Sequence, residues 1–169
     1  TEAFAKQCGI PNTTKDANDI LNDPEIEAVL ICSSTDTHSK YIIEAAKAGK
    51  NIFCEKPVDY DLKKVHEAIN TAKEAGVKLQ IGFCRRFDHN HRAVYDMVRD
   101  GKVGKVNIIK ISSRDPEPPP VSYVKVSGGI FYDMMIHDFD MARFLAGSEV
   151  TEVNAVGSVL VDPEIGEAG

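Results

Sequence analysis

Strand-like and helical patterns alternate along the first half of the chain, and this alternation constrains the fold more than any other feature. Three short apolar runs, at residues 27–32, 51–54 and 77–83, are rich in branched side chains. Runs of this kind are expected of strands buried on both faces of a sheet. Helical patterns separate them, and strands that alternate with helices imply right-handed crossovers. The sequence therefore predicts an α/β fold with a parallel sheet covered by helices.

Helix boundaries are marked by capping residues. Asp16, Asp61 and Asp88 each precede a helical pattern, where a carboxylate can accept hydrogen bonds from free backbone N–H groups. Gly49 and Gly76 follow helical patterns at the position that favours a left-handed backbone. These signals predict where the helices begin and end.

The regular alternation of strands and helices ends near residues 83–87. We place a domain boundary there, between a domain at 1–84 and a second at 85–169. The second part contains, in order, a helix from Asp88, a strand-like run at 103–113, a proline-rich loop at 114–120, an apolar helix at 130–145 and a strand-like run at 150–160. This pattern predicts that the second part also contains both helices and strands.

Composition excludes several functional classes. Twenty basic residues face twenty-six acidic ones, a net charge of −6, so the basic excess typical of nucleic-acid-binding domains is absent. No apolar run approaches the roughly 18 residues that a membrane span needs. The four cysteines form no CxxC pair, which favours reduced thiols in a cytoplasmic protein over disulfides or a zinc site.

Polar side chains follow all three predicted strands of the first domain. Segments 33–38, 55–57 and 85–86 lie just after the strands, and ligands bind outside the carboxyl ends of parallel strands. Pro57 disfavours helical geometry at Lys56, so this lysine leaves its strand extended. For segment 33–38 taken alone, helix capping is the preferred explanation. An exposed ion pair explains Glu55-Lys56 as well as a functional role does.

The apolar helix at 130–145 carries a narrow ionisable stripe. Asp133, His137 and Asp140 fall within an arc of roughly 60° at helical spacing. Asp133 and His137 are four residues apart and can touch, and a carboxylate that orients a histidine suits general acid–base chemistry. Two alternatives stay open: a buried pair that only fixes packing, and a metal site of a hydrolase or isomerase that uses all three side chains.

Three motifs in this order resemble the Gfo/Idh/MocA oxidoreductases. They are Ile-Phe-Cys-Glu-Lys-Pro at 52–57, Gly-Phe-Cys-Arg-Arg-Phe-Asp at 82–88, and the Gly-Gly to Asp-Phe-Asp stretch at 128–140. The resemblance implies a Rossmann-type domain that binds NAD, with NADP as the alternative, followed by a C-terminal α/β domain with an open sheet. It also implies hydride transfer from a secondary hydroxyl of a cyclic polyol or sugar, and residues 113–116 favour myo-inositol.

The resemblance also implies roles for particular residues. The catalytic set is Lys56, Asp133 and His137, and the substrate contacts are Arg85, Asp115, Asp133 and His137. The contacts to the nicotinamide side of the cofactor are Ser34, Thr35, His38, Glu55 and Lys56. Subunits of this family are expected to form homo-oligomers.

One family feature is missing from the printed residues. The twelve glycines contain no GxGxxG turn, which in the family holds the cofactor phosphates. We therefore expect the chain to be an internal part of a longer protein, lacking the first strand–helix unit and inactive alone. A non-catalytic binding protein that keeps the fold is the alternative.

Overall fold

The computed structural model describes residues 2–160 and 162–168. These residues form two compact units, the first ending at Ile81 and the second beginning at Gly82. Each unit has its own set of elements, and none of the helices in the described ranges is long and apolar enough to cross a bilayer.

The first unit contains a three-stranded parallel sheet, which confirms the predicted α/β class. Its strands are β1 (Ala28–Ile31), β2 (Asn51–Cys54) and β3 (Leu79–Ile81), in the spatial order β1-β2-β3. Ile31 is in register with Cys54, and Cys54 with Ile81. The three strands therefore end at the same edge, so the segments that follow β1 and β2 start side by side.

Helices of the first unit are α1 (Glu2–Gln7), α2 (Ala17–Leu21), α3 (His38–Lys47) and α4 (Leu62–Glu74). The carboxylates of Asp16 and Asp61 accept hydrogen bonds from backbone N–H groups two residues later, at 2.9 and 2.8 Å. Gly49 and Gly76 follow α3 and α4 with φ of 74° and 70°, the left-handed region that glycine adopts without strain. The capping residues therefore define these helices as the sequence predicts.

The core of the first unit lies between the sheet and helices α3 and α4. It consists of small and branched side chains: Ile31, Ile42, Ala45, Ala46, Ile52, Cys54, Ala68 and Ala72. Alanines on both helices let their backbones approach closely. Burial on both faces, predicted for every strand, is wrong for β1, because Leu30 on its other face is 75% exposed.

The second unit is helical in the described residues. It contains a 3-10 turn at Cys84–Phe87, α5 (His89–Arg99), α6 (Val121–Ser127), a π-helical turn at Phe131–Met135, α7 (Ile136–Ala146) and α8 (Pro163–Ala168). Asp88 caps α5 by accepting from the backbone N–H groups of Asn90 and His91, both at 3.0 Å.

The strands predicted at 103–113 and 150–160 do not form in the described part of the second unit. Ile108, Val153 and Val156 are between 84% and 94% exposed there. A strand satisfies its backbone groups only by pairing with a neighbour, and an apolar pattern alone supplies no partner. The prediction of these two strands is therefore wrong for this structure.

Candidate active site

The segment after β1 presents hydroxyl groups at the carboxyl edge of the sheet. Ser34 begins a short 3-10 turn, Thr35–Thr37, which leads into α3. The hydroxyl of Thr37 donates to the Ser34 carbonyl at 2.7 Å and lies 2.6 Å from the Ser33 hydroxyl. Ser34 makes no side-chain capping bond, and its side chain is exposed at this edge.

His38 connects the ends of β1 and β2 from the first turn of α3. Its side chain is buried, with 2% exposure. Nδ1 lies 2.7 Å from the Pro57 carbonyl oxygen, and Nε2 lies 3.0 Å from the Ser33 carbonyl oxygen. Both ring nitrogens thus face backbone carbonyl oxygens, and His38 links the segments that follow β1 and β2. Its predicted contact with the cofactor stays a prediction.

Glu55 and Lys56 follow β2 directly, and both are half-buried. The Glu55 N–H extends the sheet by donating to the Ile31 carbonyl at 2.9 Å. The cis Lys56–Pro57 peptide comes next, and His38 holds the Pro57 carbonyl. Lys56 therefore leaves the sheet edge from a segment that is anchored on both sides.

Asp59 anchors the same segment a few residues further on. Its carboxylate is buried and accepts hydrogen bonds from the Ser39 hydroxyl at 2.5 Å and the Asp61 N–H at 2.9 Å. Burial alone would raise the pKa of Asp59, but these hydrogen bonds and the nearby Lys64 charge outweigh it and hold the pKa below its usual value. The ionised form of Asp59 is thus the one that the fold stabilises.

Cys54, the last residue of β2, is unsuited to nucleophilic chemistry. Burial, together with the Glu55 and Cys32 charges, raises its pKa to about 12. Its thiol donates to the Glu55 carbonyl at 3.2 Å. Because the thiolate is the reactive form, this side chain is a neutral core residue at ordinary pH.

Asp133 and His137 lie at a junction between two helix types in the second unit. Asp133 is in the π-helical turn, and His137 is the second residue of α7. Both are half-buried, and π-helical turns occur often at functional sites. Gly128, with a φ of 82°, lets the chain turn from α6 into this junction.

Tyr123 on α6 is a site residue that the sequence did not reveal. Its hydroxyl donates a hydrogen bond to Oδ1 of Asp133 at 3.0 Å. The bond restricts the orientation of this carboxylate. No spacing rule connects a tyrosine on α6 with a carboxylate ten residues later in a different helix type, so only the structure identifies the pair.

Arg85, predicted to bind substrate, is engaged within its own unit. Its Nη1 donates to Oδ1 of Asp138, and the Ser113 hydroxyl donates to the same oxygen at 2.7 Å. Asp115, also predicted to bind substrate, is exposed in the irregular proline-rich segment. Neither arrangement tests the predicted contacts, which stay predictions.

Asp140, the third member of the predicted stripe, pairs with Arg86. Nε and Nη2 of Arg86 donate to the two carboxylate oxygens of Asp140 at 2.8 and 2.5 Å. The hydrogen bonds to Asp140 raise the pKa of Arg86 despite partial burial. No group of three or more His, Cys, Asp or Glu side chains in the described ranges could hold a metal ion. The metal-site alternative therefore lacks a ligand set in these residues.

Comparison with protein families gives two matches. The model described as an oxidoreductase family with an NAD-binding Rossmann fold matches residues 1–83. The model of the GFO/IDH/MocA C-terminal domain matches residues 91–168.

Curated relatives and solved structures agree with these matches. The chain is 52% identical over 164 residues to the myo-inositol 2-dehydrogenase of Thermotoga maritima, covering 97% of this chain and 49% of the relative. It is 49% identical over 168 residues to the inositol 2-dehydrogenase of Rhizobium meliloti, covering 99% and 50%. The structure of scyllo-inositol dehydrogenase from Lactobacillus casei with bound cofactor NAD(H) and scyllo-inositol has a TM-score of 0.86 at 34% identity, covering 99% of this chain and 51% of that one. The chain thus spans about half the length of these relatives.

Proposed function

Because the chain belongs to the Gfo/Idh/MocA oxidoreductase family, we propose that the whole protein oxidises a secondary hydroxyl of a cyclic polyol, myo-inositol first among them, with NAD as hydride acceptor. One observation carries the proposal: Asp133, oriented by Tyr123, precedes His137 by four residues at a π–α junction. Two relatives that are about half identical to the chain, at 52% and 49%, are inositol 2-dehydrogenases, which supports the choice of substrate.

The polar edge of the first unit suits the nicotinamide end of a dinucleotide. Ser34 and Thr35 offer hydroxyls, and Glu55 and Lys56 are half-buried beside them at the ends of adjacent parallel strands. His38 supports this edge from below through its two backbone contacts. We assign the nicotinamide contacts to these residues, and NADP is the alternative cofactor. Bound dinucleotide supplies the hydride acceptor that the side chains lack.

Alcohol oxidation requires that the hydroxyl proton leave as the C–H bond breaks with both of its electrons. His137 takes the proton as general base, and Asp133 orients the imidazole and contacts the polyol. The Lys56 ammonium stabilises the negative charge that develops on the hydroxyl oxygen. The products are a ketone, the reduced dinucleotide and the proton on His137.

Arg85 and Asp115 bind other hydroxyls of the polyol in this proposal. The guanidinium of Arg85 has five N–H donors, and its bond to Asp138 leaves some of them for substrate. Asp115 is exposed and can accept from a hydroxyl. We further propose that the whole protein is a homo-oligomer, which light scattering on the purified protein will test.

Steady-state kinetics of the whole protein test the proposal, with NADH formation followed during myo-inositol oxidation. We expect Lys56→Met and His137→Asn to lower kcat by about 10²- to 10⁴-fold, the usual contributions of an electrostatic stabiliser and of a positioned base. Lys73→Met and His66→Asn, at exposed positions of α4, are the matched controls and should leave kcat unchanged. Wild-type turnover in both site variants would refute these roles.

A binding measurement distinguishes the proposed enzyme from the non-catalytic alternative. A binding protein that kept the fold would bind NADH, detected by its fluorescence, without polyol-dependent turnover. We also propose that the 169 residues alone turn over no polyol, because they contain no glycine-rich turn for the cofactor phosphates. Inositol-dependent NADH formation by this segment would contradict that statement.

A further inference from the structure

We propose that Arg85 and Arg86 are positioning residues. Their ion pairs with α7 lie on both sides of His137 and fix the orientation in which its imidazole acts as a base. We call the two ion pairs, Arg85–Asp138 and Arg86–Asp140, the arginine clamp. This inference rests on the proposed function of His137 as the general base. It gives Arg86 and Asp140 a role that the sequence motifs do not assign.

The two aspartates of the clamp flank His137 around the helix. At about 100° per residue, Asp138 lies about 100° to one side of His137, and Asp140 lies about 60° to the other. Both arginines come from the single 3-10 turn at Cys84–Phe87. One rigid turn therefore holds α7 at two points that bracket His137 and restrict rotation of the helix about its axis.

The carboxylates of both ion pairs are shielded from water, whereas 26% of the Arg85 side chain and 37% of the Arg86 side chain are exposed. The Arg86 guanidinium meets Asp140 with two parallel N–H···O bonds, and only 5% of the Asp140 side chain is exposed. The Asp138 side chain is 14% exposed and also accepts from Ser113. Two-pronged pairing of this kind fixes geometry as well as adding charge attraction.

An aromatic ring adds a further constraint on Arg86. Its guanidinium carbon lies 4.7 Å from the ring centroid of Phe144, which is also on α7. Phe144 in turn stacks on Tyr95 of α5 at 3.9 Å between centroids. Arg86 thus contacts α7 at two residues: it forms an ion pair with Asp140 and a cation–π contact with Phe144.

The helix around His137 changes type just before α7. Residues 131–135 form a π-helical turn that runs directly into α7 without an intervening loop. Turns of this kind are rare and occur often at functional sites. His137 is the second residue of α7, so the clamp fixes the α-helical segment at the point where the change of helix type places the histidine.

The test compares Arg86→Met with Arg143→Met in the whole protein. Arg143 lies on α7 itself and also pairs with a carboxylate, but its pair with Glu149 is exposed, with 49% and 79% exposure of the two side chains. We expect Arg86→Met and Asp140→Asn to lower kcat at least tenfold while KM changes less than threefold, and Arg86→Lys to recover part of the loss. Arg143→Met should match wild type. A raised KM with unchanged kcat, or equal kcat in Arg86→Met and Arg143→Met, would overturn the inference.

A double-mutant cycle separates positioning from general structural support. In the His137→Asn background, adding Arg86→Met should lower kcat by less than twofold, because the residue that the clamp positions has already been replaced. The same fold loss in both backgrounds would refute action through His137. If Arg86→Met fails to fold, as judged by circular dichroism, Asp140→Asn replaces it in the cycle, since it keeps the shape of the side chain.

Hydrogen exchange provides a readout that does not depend on polyol oxidation. Peptides covering 131–139 should exchange faster in Arg86→Met than in wild type or Arg143→Met. If the wild-type protein oxidises no polyol, the proposed function fails, while this comparison still decides whether the clamp orders the start of α7. Unchanged exchange in Arg86→Met would overturn the clamp itself.

Discussion

Replacing His38 with alanine tests how the carboxyl edge of the sheet is held. The imidazole contacts the carbonyl oxygens of Pro57 and Ser33, the first contact buried and the second partly so. A neutral imidazole has a single N–H and donates to only one of these carbonyls at a time, so the hydrogen-bond loss is that of one acceptor, about 1–3 kcal/mol. Truncating the buried ring also removes packing contacts, so the total lies at the upper end of that range. We therefore expect His38→Ala to lower the free energy of unfolding by about 3 kcal/mol.

Thermal unfolding of the whole protein measures this effect. In a domain of roughly 150–250 residues, a loss of 1 kcal/mol in unfolding free energy lowers Tm by about 2–4 °C. His38→Ala should therefore lower the apparent Tm by about 6–12 °C. The control is His66→Ala on the exposed face of α4, where a substitution changes stability by about 0.5 kcal/mol or less. Equal Tm values for the two variants would refute the conclusion that His38 ties the ends of β1 and β2 together.

Three further predictions concern single side chains. Tyr123→Phe removes the hydroxyl that donates to Asp133, so kcat/KM should fall about threefold to tenfold, and unchanged kinetics would exclude this role. The pKa of Asp59 is lower in the folded protein than in the unfolded chain, so the ionised carboxylate stabilises the fold above the unfolded-state pKa, and this stabilisation is lost as pH falls through the folded-state pKa. Asp59→Asn should therefore flatten the acid side of a plot of unfolding free energy against pH. An unchanged slope on the acid side would contradict this. Cys54, with a pKa of about 12, should resist iodoacetamide at pH 8 while the exposed Cys8 is alkylated, as peptide mass spectrometry will show; equal labelling would refute its burial.

Local signals in the sequence predict much of the first unit. Asp61 caps α4 and Gly76 follows it in a left-handed conformation, because both effects depend on a few neighbouring residues. The apolar runs predict the parallel strands, since crossover helices of this length leave few other arrangements. Leu30 is the exception, because its exposure depends on what covers β1 rather than on its own residue type.

The helix at 130–145 shows where periodicity stops being informative. A single α-helix would place Asp133, His137 and Asp140 on one stripe, but the structure has a π-helical turn before α7. Asp140 is directed to Arg86, which lies 54 residues earlier in the chain. Pairs so distant in sequence leave no trace in local spacing, so the ion pair between Arg86 and Asp140 was not predictable.

The same limit applies to the residues around the site. Tyr123 lies on α6, a helix that the sequence pattern did not predict, and its bond to Asp133 depends on how α6 meets the π-helical turn. The strands predicted at 103–113 and 150–160 had the right composition, but pairing depends on a neighbouring strand. Both cases concern tertiary contacts, which a single sequence specifies only through the complete fold.

Isotope transfer tests the central claim, hydride transfer from polyol to dinucleotide, most directly. The whole protein is incubated with NAD and myo-inositol deuterated at its ring carbons, and the reduced nicotinamide is analysed by mass spectrometry. Our account predicts NADH that carries deuterium, formed by the wild-type protein and by the His66→Asn control but not by His137→Asn. NADH without deuterium, or no NADH from any inositol, would contradict it.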